Sequence, residues 1–111
     1  MKKTDLVYLG DILDAVNKVD EFLDGYSYDD FKNDDKTIFA VCHALEIVGE
    51  ASNQLSANFR NDNPEFPVRQ TVEMRNFLIH GYDQIDIETI WDTIKNDLPS
   101  LKKLTEQLYN L

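Results

Sequence analysis

Met74-Arg75-Asn76-Phe77-Leu78-Ile79-His80-Gly81-Tyr82 sets an arginine, an amide, a histidine and a tyrosine within about two helical turns. Arg75 carries a permanent charge and a planar fork of donors that can grip a phosphate through two parallel hydrogen bonds. His80 is of the side-chain type whose ordinary pKa lies near neutral, so it can take up and release protons. Asn76, four residues before His80, shares its helix face and can hold the imidazole ring. Gly81 is a helix stop by its tolerance of left-handed backbone. That would leave His80 in the last turn, where the helix dipole favours imidazolium. Tyr82 then falls off the helix with its hydroxyl beside His80. These residues fit a pair that cleaves phosphate esters, and fit equally a buried helix end with an incidental histidine.

The elements that must position them read as helices. Few glycines and prolines, no alternating strand-type runs and several segments of helical period predict an all-α fold. The expected architecture is a single domain over residues 1–111, an up-and-down bundle of four to five helices. Thr4 or Asp5 can cap a first helix whose apolar stripe runs Leu6, Leu9, Leu13, Val16, Val19, Phe22, Leu23 and Tyr26. Ser27 or Asp29 can cap a single turn around Phe31. A second long helix starts at Asp34 or Asp35, with Ile38, Val41, Leu45, Val48, Ser52 and Leu55 on its stripe. Gly49 inside it costs about 1 kcal/mol against alanine, which a close helix crossing would explain. His43, Glu46 and Glu50 share another stripe: ordinary solvated polarity, or a carboxylate at Glu46 or Glu50 that faces the motif helix and orients Arg75.

Asn58 to Pro67 reads as the main loop, with Pro67 opening the motif helix at about Val68 to His80. Val72, Phe77, Leu78 and Ile79 are its expected core contacts. On an ideal helix Arg75 and His80 point about 140° apart. Leaving the helix at Gly81, or a second subunit, would relax that separation. Asp86 is placed to cap the last helix, and Pro99 must kink or divide it.

Composition narrows the function. A net charge of −10 argues against a general nucleic-acid binder, although Arg60, Arg69 and Arg75, the three arginines, fall in one short segment and allow a local basic site. The acidity also suits a basic partner surface. No apolar run of membrane-spanning length occurs, none of signal-peptide length follows Met1 to Asp5, and Cys42 is the lone cysteine. The expected location is the cytoplasm, with no membrane association. His43 with Glu46 and His80 with Asp83 have the wrong order and company for a metal site, so neither metal nor cofactor is expected. Cys42 beside the apolar stripe reads as a small core residue.

Arg-x4-His-x-Tyr, with Asn76 after the arginine, resembles the signature of the HEPN superfamily, and more narrowly of HepT-like ribonuclease toxins. The likeness extends through Tyr8-Leu9-Gly10-Asp11-Ile12-Leu13, Leu45-Glu46-Ile47-Val48-Gly49-Glu50-Ala51, Ile90-Trp91-Asp92-Thr93-Ile94 and Asp97-Leu98-Pro99. Val68 departs from it, standing where members usually carry tryptophan. The resemblance implies metal-independent RNA cleavage with Arg75, His80 and Asn76 as catalytic residues. It also implies a cognate nucleotidyltransferase antitoxin (MNT type) that adenylylates Tyr82. With a single histidine per motif, a homodimer is expected to supply the second proton-transfer group. Two other classes remain: a non-catalytic helical binding subunit of a nucleotidyltransferase, and a purely structural helical dimer.

Overall fold

The computed structural model describes residues 1–80, with the backbone alone for His80, and residues 86–110. The expectations placed on Gly81, Tyr82 and Asp83 therefore lie outside the described residues. All regular structure among the described residues is helical: α1 (Lys3–Phe22), α2 (Tyr28–Lys32), α3 (Asp35–Asn53), α4 (Ala57–Asp62), α5 (Val68–His80), α6 (Ile87–Asn96) and α7 (Leu98–Tyr109). The five longer helices make the expected bundle, and α2 and α4 are brief additions between them. At its centre α3 packs against α1 on one side and α5 on the other, while α7 closes on α1.

Local signals set most boundaries. Ser27 caps α2 by accepting from the Asp30 amide, and Asp30 returns the bond to the Ser27 amide, a reciprocal capping box. Asp34 caps α3: Oδ1 accepts from the Thr37 amide at 3.1 Å, and Oδ2 accepts from Tyr26 Oη at 2.6 Å and Thr37 Oγ1 at 2.7 Å. Asp86 caps α6 through the amides of Glu88 and Thr89. Pro99 stands in the first turn of α7 and divides the last helix there, as its missing N–H requires. Phe31 is fully buried, tilted against Trp91 at a centroid distance of 5.4 Å, and so fastens α2 to α6.

Three expectations are corrected. Neither Thr4 nor Asp5 caps α1, whose N-cap is Lys2 without a side-chain bond. Asp5 is instead buried, accepting the Ser56 amide at 2.8 Å and Ser56 Oγ at 2.7 Å across the bundle. Ser56 in turn caps α4, a helix inside the segment expected to be loop. Among the described side chains of α5 only Leu78 is buried, whereas Phe77 and Ile79 are 40% and 45% exposed. The reason is the company of α5: among the described residues its main packing partner is α3.

Candidate functional site

Gly49 determines how near α5 comes to α3. A Cβ at this position would collide with Arg75 Cβ and stand 2.7 Å from the Thr71 carbonyl oxygen, so only hydrogen fits. The close crossing expected from Gly49 is therefore present. It brings the root of Arg75 onto α3, where one Nη of the guanidinium meets Glu50 Oε1 at 2.8 Å. The Arg75 side chain is about four-fifths covered and that of Glu50 about half. Of the two carboxylates considered, Glu50 is thus the one that faces the motif helix. Glu46 is half-buried, and its charge lies near the Cys42 thiol instead.

Arg75 Nε is buried with no hydrogen-bond partner among the described residues. A buried donor left unpaired costs about 1–3 kcal/mol, and such groups collect where function has a use for them. The other arginines do not form the local basic site that their spacing allowed. Arg60 turns its guanidinium onto backbone carbonyls, with Nε donating to Leu55 at 3.1 Å and Nη2 to Asn53 at 2.8 Å, and so closes the C-terminal end of α3. Arg69 is exposed and pairs with Glu73 on its own helix at 3.0 Å. Of the three arginines, Arg75 combines a largely covered side chain with no backbone partner for its Nε among the described residues.

Asn76 is exposed on α5. Because the helix runs unbroken to His80, the spacing that puts Asn76 and His80 on one face holds in the backbone, and so does the angular separation from Arg75. A groove of about 420 Å³ between α3, α5 and α7 is lined by Leu45, Thr71, Met74, Asn96, Leu101 and Leu104, but not by Arg75 or Glu50.

Comparison with known proteins decides the family. The chain matches the ribonuclease HepT-like family over residues 12–108. It belongs to that family. A protein of Thermococcus cleftensis named "Probable ribonuclease HepT" is 44% identical over 108 residues, covering 97% of this chain and 98% of its own. A relative from Methanocaldococcus jannaschii with a provisional RNase name is 41% identical over 107 residues, covering 96% and 98%. Another such relative, from Caldanaerobacter subterraneus, is 34% identical over 106 residues, covering 96% and 95%. No solved structure matches the chain.

Among the HepT-like features, the flank from Leu45 to Ala51 acquires a physical meaning. Its glycine admits the motif helix and its second glutamate holds the motif arginine. Cys42, buried in α3, has its thiol pushed up to about 11 by burial, with the Glu46 charge adding to the rise. That thiol is neutral at physiological pH and is a poor nucleophile. His43 is exposed in a shallow groove with Asp11, Asp14 and Lys18, a solvated position. Among the described residues no group of three or more His, Cys, Asp or Glu side chains is placed to hold a metal ion, and no helix is long and apolar enough to cross a membrane.

Proposed function

We propose that this chain is a metal-independent RNA endonuclease acting as the toxin of a toxin–antitoxin pair in the cytoplasm. The observation that carries the reading is the anchored Arg75 on a helix that runs unbroken to His80, in a chain of the HepT-like family. The RNA 2′-hydroxyl attacks the adjacent phosphorus, forming the 2′-O–P bond as the P–O5′ bond breaks. His80 accepts or donates the proton in transit. Arg75 stabilises the charge that builds on the phosphoryl oxygens, and Asn76 orients His80. One histidine serves poorly as base and acid together, so a homodimer that brings two α5 helices near its twofold axis supplies the other. The exposed Phe77 and Ile79 beside His80 in sequence support such a contact.

Purified chain should cleave total RNA in the presence of EDTA. Arg75→Ala and His80→Ala should each lose cleavage by roughly 100-fold or more, the scale on which removal of an acid–base group acts, with helical content unchanged. Mixing the two variants should restore part of the activity if the site is shared between subunits. Cleavage that persists in both variants ends the assignment.

The finer reading concerns silencing. The partner is a small nucleotidyltransferase that moves adenylate from ATP to Tyr82: the Tyr82 Oη–Pα bond forms, pyrophosphate leaves, and the phenolic proton passes to solvent. The added nucleotide brings bulk and negative charge to the sequence neighbour of His80, blocking RNA and occupying Arg75. Partner, ATP and magnesium should add AMP mass to the wild-type chain and stop cleavage. Tyr82→Phe should remain active and escape silencing. An adduct on Tyr8, Tyr26, Tyr28 or Tyr109 instead would overturn this.

A further inference from the structure

We propose that Glu50 is the positioning residue for Arg75, holding the guanidinium plane where the RNA phosphate arrives. This rests on the ribonuclease reading above for its consequence in catalysis, but not for its geometry. The ion pair at 2.8 Å joins a half-exposed carboxylate to a mostly covered arginine. Pairs this open to solvent contribute little to stability, so fold maintenance is a weak reason for the contact. Orientation is a better one. Glu50 directly follows Gly49, the residue whose missing side chain lets α5 approach, so one dipeptide both admits Arg75 and grips its tip.

The buried Nε gives the grip a purpose. With no partner for that N–H among the described residues, the covered conformer of Arg75 is unfavourable by itself, because a swing into water would hydrate the donor. Glu50 opposes that swing. Its carboxylate engages one Nη, and the planar fork carries further Nη hydrogens that a phosphoryl oxygen can accept. Without Glu50, each catalytic turnover would have to re-order a long side chain that water prefers.

Glu50→Ala should therefore lower kcat about 10- to 100-fold, the range expected when a reacting group is misplaced by an ångström or so. KM should stay equal or fall, because a negative charge has left the path of a polyanion. Glu50→Gln keeps the side chain's size and an acceptor oxygen and should recover activity to within about threefold of wild type, since that oxygen can accept a hydrogen bond from the same Nη. Unchanged thermal melting in both variants excludes a folding defect as the cause. A second readout needs no RNA. The chain has three arginines, so the ¹⁵Nε–Hε spectrum holds three signals, and Arg75→Ala identifies the relevant one. That signal should be sharp and slow to exchange in wild type and Glu50→Gln, and averaged and fast in Glu50→Ala.

Loss of Arg75 ordering in Glu50→Ala, though wild type cleaves nothing, would support the positioning and remove the ribonuclease reading. Glu50→Ala that cleaves as fast as wild type, or faster, with an unaltered Arg75 signal would overturn the positioning.

Discussion

Arg60 and Arg75 both land on the second half of α3, and they are used in opposite ways. Arg60 places its guanidinium on the carbonyls of Leu55 and Asn53, groups that a helix end always leaves short of donors. Asp5 and Ser56 beside it are matched just as fully. Arg75 makes an ion pair to a side chain that water already solvates, and its buried Nε has no partner among the described residues. One arginine completes the fold at the landing of α4. The other is held in reserve at the landing of α5, on the helix whose Phe77 and Ile79 remain exposed. Ser52 Oγ, at the landing of Arg60, is likewise buried without a partner among the described residues, so the contrast lies in how the two guanidinium groups are used.

The contrast can be broken by substitution. Gly49→Ala should have the largest effect on stability: a gain of about 1 kcal/mol in helix propensity is outweighed by overpacking of roughly 1–3 kcal/mol against Arg75 and Thr71. Both a lower melting temperature and weaker cleavage should follow. A melting point equal to wild type would mean that α5 is not pinned where Gly49 lets it come. Arg60→Ala should cost about 1–2 kcal/mol in denaturant titration and leave cleavage per folded molecule unchanged, the reverse of Arg75→Ala. Equal loss of activity in the two variants would erase the distinction.

The smallest effect concerns Asp34 in the fold-making half. Its carboxyl is held below the ordinary aspartate range, first by the hydrogen bond from Tyr26 and then by those from Thr37. Because the folded value is depressed, its contribution is present above the unfolded value near pH 4 and is lost as pH falls through the folded one. Circular dichroism from pH 5 to 2 should show a shallower acid limb in Asp34→Asn than in wild type. Identical limbs would put the acid sensitivity elsewhere.

How much of this was legible in the sequence follows the range of each interaction. The cap at Asp86 and the break at Pro99 could be read directly, and the caps of α2 and α3 to two candidates each, Ser27 or Asp29 and Asp34 or Asp35, because each involves residues within three or four positions. Gly49 was legible for another reason: a glycine inside a helix is a cost that asks for a close neighbour. Asp5 was misread because its partner, Ser56, lies fifty-one residues away, and a local rule sees only a good cap. Phe77 and Ile79 were assigned to the core because periodicity marks an apolar side without saying whether another helix covers it. Arg75 and His80 could be singled out by residue chemistry and motif, while the choice of Glu50 over Glu46 needed the crossing of α3 and α5.

The most direct test of the central claim is RNA cleavage by purified chain in excess EDTA, wild type against His80→Ala. Chelator-resistant cleavage by wild type, lost in a folded His80→Ala chain, is the predicted result. Equal cleavage by both proteins, or wild-type cleavage abolished by the chelator, would contradict it.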